Sequence, residues 1–175
     1  YSHYTIHCLS ENKDKNEIIQ LIKRLDLGID DINLEKTKIP IDSLPNYLTD
    51  ELKKLFFKSD NIESMVIHTK HQKFDEKGDF IATELFDLTR QESEGTQKVF
   101  ALAGVLVDTF KNGKTLIIDE FDARLHPLIS LAIVELFNSK QTNPNNAQLI
   151  FMTHGTKLLS NKLFRRVQLW FTEKS

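Results

Sequence analysis

Residues 115–120 read Thr115-Leu116-Ile117-Ile118-Asp119-Glu120, a short run of strand-forming residues closed by two adjacent carboxylates. Such a run is the pattern of a strand buried in a parallel sheet. In open α/β sheets ligands gather at the carboxyl ends of the strands, so Asp119 and Glu120 are expected at a rim where a bound phosphate group meets them. Their tasks then differ. Asp119, at the strand tip, suits Mg²⁺, which takes oxygen ligands and retains waters, whereas Glu120 is placed to act on an attacking water as general base. Taken alone, such a pair is more often two solvated residues opening a loop.

Two further stretches stand at matching places. Ser93-Glu94-Gly95-Thr96 lies 26 residues upstream of Asp119 and opens an apolar helix containing Val99, Leu102, Ala103 and Leu106. Ser93 is the expected N-cap, the first-turn N–H groups form an anion site, and Gly95 lets a phosphate approach the backbone; in isolation the same stretch is a capped helix worth about 1 kcal/mol. Downstream, Leu149-Ile150-Phe151-Met152-Thr153-His154 is a second apolar strand with a polar tip, 35 residues after Asp119 at its histidine. His154 is placed to hydrogen-bond a terminal phosphate or the attacking water, although a lone histidine at a strand end is more often structural.

The elements between these motifs alternate. A helix to Lys111, a strand over Thr115–Ile118, a helix near Pro127–Asn138, a strand over Gln148–Thr153, a short helix and a strand over Val167–Phe171 predict an α/β fold with a mostly parallel sheet flanked by helices. Trp170 and Phe171 are expected in the core, as are Phe100 and Phe110 behind the Ser93 helix. The polar loop Gln141–Asn146 reads as a turn. Earlier in the chain, Met65-Val66-Ile67 and Phe80–Leu88 predict antiparallel strands joined by a turn at Lys77-Gly78-Asp79. Before them come a weakly alternating Tyr1–Leu9, read as a strand, a helix over Ile18–Leu25 ending toward Gly28, and a helix over Leu48–Lys58 bounded by Pro40 and Pro45. Residues 1–60 therefore read as a helical insertion or lid, and residues 61–175 as the chemical lobe.

Composition narrows the class. In 175 residues, 40% apolar with twelve Phe, a real core is affordable and disorder is not expected. Cys8 is the only cysteine, so no internal disulfide forms; no apolar run approaches the ~20 residues of a membrane span, and no signal peptide pattern opens the chain. A soluble, cytoplasmic chain with no membrane partner is the expectation. The net charge is −2, with 13 basic and 17 acidic residues over 1–90 and 10 and 8 over 91–175, which disfavours a globally basic nucleic-acid binder. Lys157, Lys162, Arg165 and Arg166 form a modest basic cluster, more commonly a solvated face than a DNA contact. His3, His7 and Cys8, or His68 and His71, lack the paired spacings of a structural zinc site.

The order of the three motifs resembles the ATP-binding-cassette-like ATPases of the chromosome-maintenance, Rad50-like and overcoming-lysogenization-defect group, and within it the bacterial AAA-type ATP-binding proteins of anti-phage defence pairs. Ser93-Glu94-Gly95-Thr96 looks like the signature motif, Leu116–Glu120 like the Walker B strand, Phe121-Asp122-Ala123-Arg124-Leu125-His126-Pro127 like the D-loop, and Thr153-His154 like the switch histidine. The resemblance covers residues 79–172. It implies ATP and Mg²⁺ as cofactors, Ser93, Gly95 and Thr96 closing on ATP held by a second copy, Asp122 and His126 lining the D-loop contact, Asp119 holding Mg²⁺ through water, and Glu120 and His154 in catalysis. It also implies a head-to-tail homodimer driving an effector such as a nuclease. The signature keeps only the serine and second glycine of Leu-Ser-Gly-Gly-Gln, and His126 stands where an aspartate is usual.

One required part is missing. No Gly-x-x-x-x-Gly-Lys-Ser/Thr occurs in the chain, and Gly113-Lys114-Thr115 precedes a strand instead of following one, so it reads as a helix-to-strand turn. The expectation is therefore the C-terminal part of an ATPase whose phosphate loop lies upstream of Tyr1, inactive by itself. The competing readings are an inert module for dimerisation or partner binding, and a DNA-end-binding protein.

Overall fold

The structure, a computed structural model, describes residues 1–40, 61–158 and 163–172. The helix expected over Leu48–Lys58, Pro45 and Lys162 of the basic cluster lie outside these residues. In chain order the elements are α1 (Ser2–Ser10), α2 (Lys15–Arg24), β1 (Asp31–Pro40), β2 (Asn61–Phe74), β3 (Phe80–Asp87), α3 (Glu94–Asn112), β4 (Thr115–Ile118), α4 (Pro127–Asn138) and β5 (Gln148–Phe151), with single 3₁₀ turns at Thr156–Leu158 and Arg166–Gln168. Contacts divide the chain into two units, Tyr1–Gly28 with Ser93–Ser175, and Ile29–Glu92. The boundary expected at residue 60 falls within the second.

In the first unit α3 is the organising helix. Val99, Phe100, Leu102, Ala103 and Leu106 are buried along it, each such side chain stabilising the fold by roughly 1.5–3 kcal/mol if fully withdrawn from water, alanine less. Helices α1 and α2 pack on α3. The N-terminal segment expected as a strand is helix α1, because its buried residues, Thr5, Cys8 and Leu9, recur at helical spacing and face α3. Thr5 is fully buried and meets α3 at Gly104, where the missing side chain lets the two backbones close together. Helix α2 fulfils the expected amphipathic pattern with Ile18, Leu21 and Ile22 buried, and Gly28 has the expected positive φ, 70°.

The β4–β5 pair is parallel and in register, Thr115 opposite Gln148 through Ile118 opposite Phe151. Among the described residues this two-stranded pair is the whole parallel sheet, smaller than the mostly parallel sheet expected. The strand expected over Val167–Phe171 is replaced by a local turn: Gln168 N donates to Arg165 O and Leu169 N to Arg166 O, so its backbone bonds are spent within the segment. Trp170 and Phe171 are 88% and 80% exposed, not in the core as expected. Phe100 is buried, and Phe110 packs on Phe137 with ring centroids 4.5 Å apart. Gly113 ends α3 in the left-handed conformation (φ 61°), and Lys114 pairs with Asp108, so the Gly113-Lys114-Thr115 stretch is the expected helix-to-strand turn.

The second unit is an antiparallel sheet of order β1-β2-β3. The β2–β3 hairpin matches expectation, with its turn closed by Asp75 N donating to Asp79 O and by Gly78 at φ 86°. Strand β1, which no sequence pattern announced, pairs along its full length with β2. At the last residue of this unit, the Glu92 carboxylate accepts from Thr69 Oγ1 and meets His71 Nε2 at 2.6 Å. Among the described residues no helix is long and apolar enough to cross a membrane.

Candidate functional site

Strand β4 buries Leu116 and Ile118 and then stops, because the next residues leave the ladder. The stitching continues for one step beyond it: Met152 N donates to Ile118 O and Phe121 N donates to Met152 O, both at 3.0 Å. Two parallel strands so joined deliver the residues that follow them to the same rim. Asp119 and Glu120 therefore emerge beside Thr153 and His154. Asp119, Glu120 and His154 are all exposed, and Asp119 Oδ1 accepts from Glu120 N at 2.9 Å.

The turn after β4 is pinned by Phe121, which is 0% exposed and packs on Phe151 with ring centroids 4.8 Å apart. With that ring inside, the flanking residues are forced to the surface. Glu120 has φ 48° and Arg124 φ 65°, a left-handed backbone at two residues that carry a Cβ. Ala123 N donates to Glu120 O and Leu125 N to Asp122 O, each at 3.1 Å. Asp122 faces the other strand end, its carboxylate lying where a side chain on Gly155 would stand. Asp122, Ser130, His154, Gly155 and Thr156 line a cavity of about 460 Å³, together with Leu125, Pro127 and Leu158. Ser130 Oγ is buried there without a hydrogen-bond partner among the described residues.

The Ser93 stretch forms the expected cap. Ser93 is extended (φ −65°, ψ 154°), and its Oγ accepts from Thr96 N at 3.1 Å and lies 2.9 Å from Thr96 Oγ1. Gly95 has an additional use: a Cβ there would lie 2.9 Å from Arg124 O, so its small size admits the backbone of the 119–125 turn. Glu94 and Arg124 form an exposed ion pair at 3.6 Å, a contact of little energetic weight. His126 caps α4, its Nδ1 accepting from Leu128 N at 3.3 Å ahead of Pro127.

Lys98 carries no sequence signal and sits at the centre of this arrangement. Its Nζ donates to Glu120 O and to Ala123 O, both at 2.8 Å. Burial holds its ammonium below the usual lysine range, while the Asp122 and Glu120 carboxylates pull in the opposite direction. Gly155 was equally silent in the sequence, since its role depends on Asp122, 33 positions earlier.

The residues fit a hydrated Mg²⁺ better than a caged metal. Asp119 and Glu120 are exposed hard-oxygen donors, and among the described residues no group of three His, Cys, Asp or Glu side chains forms a metal cluster. A cation of this kind, bound through one or two carboxylates, takes its remaining ligands from water and phosphate. Chemically, the rim presents two exposed carboxylates, which are hard-oxygen acceptors, and an exposed imidazole.

A mixed α/β domain with acidic residues at the carboxyl rim of parallel strands is consistent with a P-loop AAA domain. The chain belongs to the family described as "AAA domain, putative AbiEii toxin, Type IV TA system", whose model matches residues 5–160. Membership makes ATP binding and hydrolysis the activity of the class and implies use of nucleotide, usually with Mg²⁺. Comparison with curated proteins gives no match.

Proposed function

We propose that this chain is the hydrolytic lobe of an ATPase similar to the cassette-like chromosome-maintenance and overcoming-lysogenization-defect group. The observation that carries the reading is the shared rim: Asp119 and Glu120 follow β4, and His154 follows its parallel neighbour β5. The phosphate loop is supplied by polypeptide outside these 175 residues. A further feature supports this division: Ile117, Ile150 and Met152 are 59%, 54% and 55% exposed on the β4–β5 pair, whereas parallel strands are ordinarily covered on both faces.

The residues act as follows. Mg²⁺, when bound with the nucleotide, neutralises phosphate charge. Asp119 would hold that ion through water. Glu120 takes a proton from the attacking water, and His154 donates a hydrogen bond to the terminal phosphate. Ser93, Gly95 and Thr96 close over nucleotide held by a second copy in a head-to-tail homodimer, with Asp122 and His126 at the dimer's D-loop contact. Positioning and charge neutralisation are most of what phosphoryl transfer requires. The dimer drives an effector, a nuclease in an anti-phage defence pair being the one that fits the family resemblance.

Phosphate release by the full-length protein with Mg²⁺-ATP tests this reading. Wild type releases phosphate, and His154→Ala lowers the rate by about tenfold or more. The lack of a phosphate loop in these residues favours a second reading, an inert partner-binding module; it predicts no ATP binding and no release by the full-length wild type.

A further inference from the structure

The 119–125 turn keeps two residues with side chains, Glu120 and Arg124, in a left-handed backbone. Such a conformation is disfavoured and persists where neighbouring groups hold it, and held backbone of this kind collects at functional sites. Here the neighbours belong to the first turns of α3. The carbonyl oxygens of Glu120 and Ala123 each receive a bond from Lys98 Nζ at 2.8 Å, and the carbonyl of Arg124 is seated against Gly95. Two backbone oxygens of the turn are thus held by Lys98, five positions after Ser93, and a third lies close over Gly95, two positions after it. An ammonium has three donors, and Lys98 spends two of them on this turn.

We propose that Lys98 is the positioning residue of the rim: by fixing the backbone at Glu120 it sets the direction of the Glu120 carboxylate and ties it to the Ser93 end of α3. The catalytic consequence rests on the ATPase reading above. Lys98 touches neither nucleotide nor water in this scheme. It acts through Glu120, and any displacement of the Ser93 end reaches that carboxylate through one side chain.

The test uses the full-length protein with Lys98→Met, which keeps the apolar stem and removes the donors, and Lys98→Arg, which restores two donors in a planar fork. Two readouts are needed. Amide hydrogen exchange, measured without nucleotide, is expected to quicken at Phe121, Ala123 and Leu125 in Lys98→Met while Leu102–Leu106 of α3 stays protected. In steady-state hydrolysis, kcat is expected to fall by about tenfold or more through misplacement of the base, with KM for ATP changed by less than about threefold. Lys98→Arg recovers most of both. Should Lys98→Met not fold, Lys98→Gln serves the same comparison. Unchanged exchange in the turn overturns the proposal, as does unchanged kcat in a protein whose turn has loosened, or a loss that Lys98→Arg fails to recover. A wild-type protein that hydrolyses no ATP sinks the ATPase reading and the catalytic role with it; the exchange data separate that outcome from failure of the clamp, since they need no nucleotide.

Discussion

Gly104 is where α1 and α3 come closest. A Cβ on it would lie 2.8 Å from Thr5 Oγ1 and 2.9 Å from Thr5 Cα, while Gly104 N donates to that same hydroxyl at 3.1 Å and the hydroxyl donates to Ala101 O at 2.9 Å. Gly104→Ala is expected to destabilise the protein by about 1–3 kcal/mol, read as a lower urea midpoint at unchanged slope; equal stability contradicts the packing described. Asp108 gives a pH test. Its carboxyl is held below the usual range first by the hydrogen bond from Lys114, against burial and with help from Tyr4 and Asn112. A depressed carboxylate contributes stability that is present above its unfolded pKa, about 3.9, and lost as pH falls through the folded value. Acid unfolding curves of wild type and Asp108→Asn should therefore converge below about pH 4; a constant gap contradicts this. At this scale the sequence revealed residues whose meaning is local, such as the Ser93 cap and the helix-to-strand turn at Gly113-Lys114-Thr115. Lys98, Gly104 and Gly155 stayed hidden, because each takes its role from a partner many positions away.

Elements were legible where apolar spacing was strong and the ends were marked. Helix α4 begins at Pro127 and ends at Asn138 as expected, and α3 runs from the Ser93 cap to Gly113. Segment 1–9 was misread because its alternation is weak, and only contact with α3 decides for the helix. The loop 141–146 does more than turn the chain. Asn143 is buried; its Nδ2 donates to Phe137 O and Ala147 O, and its Oδ1 accepts from Ala147 N. It joins the end of α4 to the start of β5. Asn143→Ala leaves buried backbone groups unpaired and is expected to cost about 1–3 kcal/mol, measurable as a lowered Tm; an unchanged Tm contradicts that role.

At the scale of the whole molecule, the division at Gly28 and Glu92 was not legible, since β1 meets β2 only across the segment 41–60 and no local pattern reports a pairing so distant. The ends of β4 and β5 were more legible than the fold around them, because strand tips are written locally as apolar run and then acid or histidine. Without a phosphate loop the 175-residue chain is expected to bind Mg²⁺-ATP weakly in calorimetry, and micromolar affinity contradicts the proposed division of labour. Glu120→Gln in the full-length protein bears most directly on the rim itself. ATP binding should persist while hydrolysis falls about 10²-fold or more; turnover equal to wild type removes Glu120 as the base and the rim as the hydrolytic site.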